Sequence, residues 1–372
     1  MSGVIVHEWL ERSGGAENVV EALRETFPDA ELWSLWDASE GRFGEHVNET
    51  VLARTPLRGR KALALPFMPF AWRNLPEIEA EWMLVSSHLF AHHARFRGAS
   101  AHIPKFVYTH TPARYIWVPE LDGRGDGPMA RALSGLLKPL DRKRAQEPVA
   151  IAANSQFIAE RIADTWEREA TVIYPPVAVA EFAAEPELTA NEQDALDALP
   201  SEFLLGVSRF VPYKRLDAAI QAGKASGLPV VLAGRGPDEE RLRAVAETVH
   251  PGKVSFVHHP SFQLLKALLR RAQALVFASI EDFGIVPVEA MASGTPVIAN
   301  AVGGAAESVL EGVTGTHVRE WNSHSEVRAA VERALGTDSR ACTARARDFD
   351  YQHFEDGIAA FVKDGLRAAA RP

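Results

Sequence analysis

Two series of short apolar runs, each run followed by a segment of helical spacing, divide the chain. Gly3-Val-Ile-Val-His7 opens the first, and its unbroken apolar character is that of a strand covered on both faces. Val19, Val20, Leu23 and Phe27 then recur on one helical face, predicting a helix over Ala16–Phe27. Further strands are predicted at Glu31–Leu35, Trp82–Ser86, Lys105–Tyr108, Val149–Ala152 and Thr171–Tyr174, with helices at Met129–Arg144 and Gln156–Trp166. Pro175-Pro176 stops this series, and residues 177–200, rich in Ala, Glu and Pro, read as an interdomain connection. The second series predicts strands at Phe203–Val207, Pro229–Ala233, Val254–Val257, Ala274–Ala278 and Pro296–Ala299. Helices are expected near Leu216–Lys224, Glu239–Thr248, Phe262–Arg271, Val286–Ala292 and Ala305–Leu310. A last helical stretch covers Asp348–Ala370. The alternation predicts an α/β protein of two Rossmann-like domains, residues 1–178 and 200–350.

Length and composition agree with two soluble domains: 372 residues, 47% hydrophobic and 24% charged. Cys342 is the only cysteine, which excludes an intrachain disulfide and a cysteine-cluster metal site and suggests a reducing, cytoplasmic setting. No apolar run reaches the roughly 20 residues of a membrane span, and the N-terminus reads as strand and turn rather than signal peptide. The net charge of −9 conceals a basic middle. Residues 51–144 carry 15 Lys/Arg against 7 Asp/Glu, whereas residues 1–50 carry 3 against 11. A basic region in an acidic chain suits an anionic ligand or surface as well as chance clustering. Within it, residues 54–73 mix Arg58, Arg60 and Lys61 with Leu63, Leu65, Phe67, Met68, Phe70 and Trp72. That mixture fits peripheral contact with a membrane, and equally a mobile acceptor loop or ordinary core, since Pro66 and Pro69 interrupt any long amphipathic helix.

Four segments carry candidate chemistry. Glu281-Asp-Phe-Gly-Ile-Val-Pro-Val-Glu289 runs from a strand end into a helix, so the amides of Phe283, Gly284, Ile285 and Val286 can bind an anion at a helix N-terminus. Its two acids are spaced to reach different hydroxyls of one extended ligand. Arg209 and Lys214, also past a strand end, offer a planar fork and a compact charge suited to a diphosphate. His110 follows the Lys105–Tyr108 strand, with Arg114 beyond it as a weaker candidate for acceptor or phosphate. Gly14 and Gly15 follow the first strand without forming a dinucleotide-binding GxGxxG. Asn154-Ser155, Gly303-Gly304 with Glu307, and His258-His259 are lesser signals at strand ends. No His, Asp and Glu set has metal-ligand spacing.

Taken in order, these motifs resemble the retaining glycosyltransferases of family 4, over nearly the whole chain. The resemblance implies a GT-B fold, two Rossmann-like domains facing across a cleft, with the C-terminal helix (about 352–372) returning to the first. It implies that Glu281 and His110 face the donor sugar, that Glu289 binds the ribose, that Arg209 and Lys214 meet the diphosphate, that the intervening amides hold the sugar and phosphates, and that Gly14 and Gly15 approach the donor phosphates or the acceptor. No metal or other cofactor is implied. The segments VHEWLERSGGAE and YTHTPARYIW are most similar to bacterial mannosyltransferases of polysaccharide assembly. The expected reaction is therefore retaining transfer of a hexose, first of all mannose from GDP-mannose, to a saccharide or lipid-linked saccharide, with no nucleic-acid partner. A UDP-sugar or other donor, a sugar-nucleotide epimerase, and a nucleotide-sugar-binding protein with a decayed site are the alternatives.

Overall fold

The computed structural model describes residues 2–44, 46–118 and 128–370, which form two compact units. Unit 1 comprises Met1–Pro176 and Tyr351–Pro372, and unit 2 comprises Val177–Asp350.

In unit 1 the strands are β1 (Gly3–His7), β2 (Leu10–Glu11), β3 (Glu31–Ser34), β4 (Asp37–Ala38), β5 (Val47–Glu49), β6 (Trp82–Ser87), β7 (Lys105–Thr109), β8 (Ala150–Ala153) and β9 (Thr171–Val172). Seven of them form one sheet in the order β5-β3-β1-β6-β7-β8-β9, and β2 pairs separately with β4. All recorded pairings in the large sheet are parallel. Val4, Ile5 and Val6 in the middle of β1 are fully buried, as the apolar run required. The C-terminal helix Tyr351–Ala369 packs against the helix Gly15–Thr26, placing Phe354, Ile358 and Val362 in the core of this unit.

Unit 2 adds β10 (Leu204–Val207), β11 (Val230–Gly234), β12 (Val254–His258), β13 (Ala274–Phe277), β14 (Val297–Asn300) and β15 (Gly315–Val318). Their spatial order is β12-β11-β10-β13-β14-β15, again parallel. In chain order within this sheet, that is third, second, first, fourth, fifth and sixth. The sheet therefore reverses direction of growth between β10 and β13, and unit 1 does the same between β1 and β6. In open parallel sheets the crevice outside the carboxyl ends at such a reversal is where ligands settle.

One sequence expectation is corrected. Residues 177–200 are not a bare connection: they contain the helices Val179–Ala183 and Ala190–Asp197, folded onto unit 2. Thr189 and Glu192 form a reciprocal capping box at the start of the second helix. Arg271 donates to the Leu196 carbonyl at 2.7 Å and Arg270 to the Ala183 carbonyl at 3.1 Å, while Phe182 meets Phe262 edge-on. The chain enters and leaves unit 2 at adjacent points, because the Val177 amide donates to the Phe349 carbonyl at 2.9 Å.

Candidate active site

At the sheet reversal of unit 2, the chain leaves β10 through Ser208 and Arg209 and forms a short 3-10 turn, Pro212–Lys214. Arg215 in the left-handed region (φ 51°) ends the turn. From the neighbouring β13 the chain passes Ser279 to Glu281. The two exits meet: Lys214 Nζ lies 2.5 Å from Glu281 Oε1, and Ser279 Oγ donates to the same oxygen at 2.9 Å. The two charged side chains are 15% and 21% exposed, so the pair is largely but not wholly removed from water. Arg209 lies further out and is exposed, its Nη2 donating to Tyr213 Oη at 3.0 Å. The Tyr213 ring lies 5.3 Å from Lys214 Nζ, within range of a cation–π contact.

The helix after Glu281 begins as its sequence predicts. Gly284 is its N-cap, at φ 88°, and Ile285–Ala292 follows, with Pro287 tolerated in the first turn. Phe283 is buried against Phe349. A second glycine turn supports the first. The Gly304 amide donates to the Glu281 carbonyl at 2.8 Å, and a Cβ on Gly304 would lie 2.2 Å from the Asp282 carbonyl oxygen. That close backbone approach is the physical use of Gly303-Gly304. Glu289, one helical turn inside, makes no side-chain hydrogen bond or ion pair among the described residues. Surrounding protein desolvates its carboxyl and pushes it up to about 7.

The reversal in unit 1 carries a different chemistry. His7, at the end of β1, places Nδ1 3.0 Å from Ser86 Oγ and 3.2 Å from the Ser86 carbonyl. Ser86 Oγ lies 2.8 Å from Nε2 of His110, just beyond β7. With His88 the three imidazole rings stand 5.5 to 6.3 Å apart. Desolvation lowers all three, His7 to about 4 and His110 to about 3. The cluster is neutral at ordinary pH. Gly14 and Gly15 open the neighbouring helix, but the Glu17 carboxylate folds back over Gly14, since a Cβ there would meet it. The helix start thus carries a buried acid beside the two glycines.

Beneath this cluster lies a polar network that sequence spacing gave no hint of. Buried Glu8 accepts from the amides of Leu89 and Ala91, each at 2.8 Å, and from Ser87 Oγ. Ser87 Oγ in turn contacts His92 Nδ1. Asp141 lies near Nε2 of both His92 and His93, at 3.2 and 3.1 Å, and accepts the indole N–H groups of Trp117 and Trp166, each at 2.7 Å. These partners hold its carboxyl below the usual carboxylate range despite complete burial. His92, His93 and Asp141 have ligand atoms within 4.8 Å of one another, and so form a set able to hold a metal ion. The carboxylate oxygens already serve a ring N–H and two indoles.

The structure thus joins Lys214 to Glu281 and links Arg209 to them through Tyr213. It leaves Glu289 without a bond to either, and His110 belongs to unit 1. Ser279, Tyr213, Ser86 and His7 are the residues the sequence reading omitted. Ser86 and His7 had one visible signal: polar residues at the carboxyl ends of fully apolar strands. Ser155 proves to be the N-cap of Gln156–Trp166, accepting from the Ile158 amide.

Two family signatures match the chain in succession: Glycosyltransferase Family 4 over residues 13–181 and Glycosyl transferases group 1 over residues 190–349. Curated relatives include the D-inositol 3-phosphate glycosyltransferase of Mycolicibacterium paratuberculosis, 31% identical over 211 residues. That match covers 53% of this chain and 47% of that protein. Its counterpart in Mycolicibacterium smegmatis is 32% identical over 209 residues, covering 51% and 46%. The matched region thus spans about half the length of these relatives. Among solved structures, Anabaena HepE in complex with UDP and glucose superposes with a TM-score of 0.68 at 17% identity, over 98% of this chain and 99% of that one. The sucrose-phosphate synthase of Thermosynechococcus elongatus gives 0.70 at 18% identity over the full length of both. At such identities the likeness speaks for the fold, which is GT-B.

Proposed function

This chain belongs to the GT-B glycosyltransferases of family 4 and group 1, and we propose that it transfers a hexose from a nucleoside diphosphate to an acceptor hydroxyl with retention of anomeric configuration. The observation that carries the reading is the Lys214–Glu281 pair at the carboxyl ends of β10 and β13, beside a glycine-capped helix. A cation and an anion held side by side suit a ligand that carries both kinds of group. Lys214 and Arg209 stabilise the diphosphate, and the amides from Phe283 to Val286 add N–H donors. Glu281 accepts from a sugar hydroxyl, and Glu289 accepts from the ribose. In the transfer, the anomeric carbon–oxygen bond breaks and its electron pair stays with the phosphate. The acceptor oxygen bonds to the same face of that carbon and yields its proton to the departing phosphate. Arg209 and Lys214 offset the charge that develops, so this reading calls on no resident metal.

The donor base and sugar are a finer matter. GDP-mannose rests on the likeness of two N-terminal segments alone, and the named relatives give it no support. HepE, a structural neighbour, holds UDP and glucose, and the curated relatives are named for D-inositol 3-phosphate. A UDP-hexose is therefore the first donor to try and GDP-mannose the second. For the acceptor we favour a saccharide or lipid-linked saccharide. Leu63, Phe67 and Phe70 recur along one stretch of short helical turns and are 59%, 53% and 67% exposed, an apolar face suited to a lipid surface. Among the described residues no helix is long and apolar enough to cross a membrane.

The test is thermal unfolding against UDP-, GDP-, ADP- and dTDP-sugars, followed by transfer with the stabilising donor and NMR of the product anomer. A donor bound only by the folded chain raises the midpoint as its concentration passes the dissociation constant. Stabilisation by none of them, or by one equally in Lys214→Ala, would overturn the reading.

A further inference from the structure

The hydrogen bonds around His110 fix which of its two nitrogens carries the proton. A carbonyl oxygen can only accept, so His7 Nδ1, 3.2 Å from the Ser86 carbonyl and 3.0 Å from Ser86 Oγ, is an N–H. The opposite nitrogen of that ring supports this. Among the described residues His7 Nε2 is buried without a partner, and a bare acceptor is tolerated there better than an orphaned donor. Ser86 Oγ, receiving the His7 proton, has its own hydrogen left for one acceptor. A serine oxygen can accept twice, but its own hydrogen needs an acceptor, and the one other recorded partner among the described residues is His110 Nε2 at 2.8 Å. His110 Nε2 therefore accepts, and the proton of this neutral ring sits on Nδ1. That nitrogen has no recorded protein partner among the described residues, and His110 as a whole is only partly buried.

We infer that His7 and Ser86 act as positioning residues that lock His110 in its Nδ1–H tautomer, so that it donates a hydrogen bond to a ligand oxygen and cannot serve as the base that removes the acceptor's proton. The ligand group it recognises is an oxygen with a free lone pair: a sugar hydroxyl, a ring oxygen or a phosphate oxygen. The role in transfer rests on the proposed function; the tautomer does not. The rings around His110 carry no charge to reverse the assignment. His7 and His88 are held neutral by desolvation, and Tyr108, whose ring stands 5.3 Å away, is buried and kept protonated.

Two measurements test it. Nitrogen-15 spectra of the histidine-labelled full chain, with His110 assigned by its loss in His110→Gln, should show Nδ1 protonated and Nε2 bare. Ser86→Ala should convert that signature to a mixture of tautomers. An Nε2–H signal in the parent protein, or an unchanged Nδ1–H signal in Ser86→Ala, overturns the inference. In the transfer assay the amide of Asn reaches the Nδ1 position and that of Gln the Nε2 position. His110→Asn should keep kcat/KM within about 10-fold of the parent while His110→Gln loses about 100-fold. The reverse ranking refutes donation from Nδ1. If the parent chain transfers no sugar at all, the functional reading fails, and the spectrum alone decides the tautomer.

Discussion

Lys214 and Glu281 are 67 residues apart in the chain and 2.5 Å apart in space, each carried on the loop that leaves one of two adjacent parallel strands. Their pairing follows from strand order: β10 and β13 are neighbours only because the sheet reverses between them. Lys214→Ala should lower kcat/KM by about 10²- to 10³-fold, the usual loss when one charge-stabilising donor is removed. Glu281→Gln, which keeps shape but drops the charge, should fall less than Glu281→Ala. Steady-state kinetics with the stabilising donor decides this, and circular dichroism should show all three variants folded.

Glu289 makes binding and stability depend on pH in opposite directions. Its folded-state value is raised to about 7, so between the ordinary glutamate range and that value the folded chain holds a proton that the unfolded chain releases. Stability is therefore greatest at the acid end of this window and falls as pH rises through 7, by at most about 3 kcal/mol at about 1.4 kcal/mol per unit. A carboxylate is the better acceptor for a ribose hydroxyl, so nucleotide affinity should rise over the same interval. Glu289→Gln should flatten both profiles, as urea titration and calorimetry at pH 5.5 to 8 would show.

Gly304→Ala forces a methyl group against the Asp282 carbonyl, 2.2 Å away, and so against the loop that presents Glu281. A cost of about 1–3 kcal/mol is expected, together with a rise in donor KM. Gly312→Ala is the contrast: unlike Gly304, which sits at φ −63°, Gly312 has positive φ, at 72°, and its added methyl meets nothing within 4 Å. Strain alone, about 1–2 kcal/mol, should then appear without the KM effect.

The exposed Leu63, Phe67 and Phe70 can be changed without opening the core. Replacing all three by Ser should leave the unfolding midpoint nearly unchanged while abolishing cosedimentation with anionic vesicles. Equal sedimentation of parent and variant would sink the lipid-surface reading. Removal of Asp141 is expected to act the other way. Asp141→Ala strips the acceptor from two indoles and a buried ring, and should cost about 3–5 kcal/mol.

Much of this molecule was legible in its sequence, and the exceptions have physical causes. The Glu281–Glu289 segment could be read because strand, acid, glycine and helix are consecutive. The partnership of Lys214 with Glu281, and of Ser86 with His7 and His110, could not, because strand order makes those contacts. Strands β5 and β15 escaped notice because Val47-Asn-Glu49 and Gly315-Thr-His-Val318 are short and half polar. Composition marks residues 177–200 as a connection, although Thr189 and Glu192 stand at capping-box spacing and Phe182 and Leu196 are apolar side chains that the fold buries.

The return of Tyr351–Ala369 to unit 1 has a consequence for synthesis. Unit 2 is uninterrupted in the chain and can fold once Asp350 has left the ribosome. Unit 1 is not: Phe354, Ile358 and Val362 belong to its core and emerge after unit 2. The part made first is completed second, and its open core must wait through the manufacture of the whole inserted unit. Emergence of Tyr351–Ala369, rather than of β9, is then the event that closes unit 1.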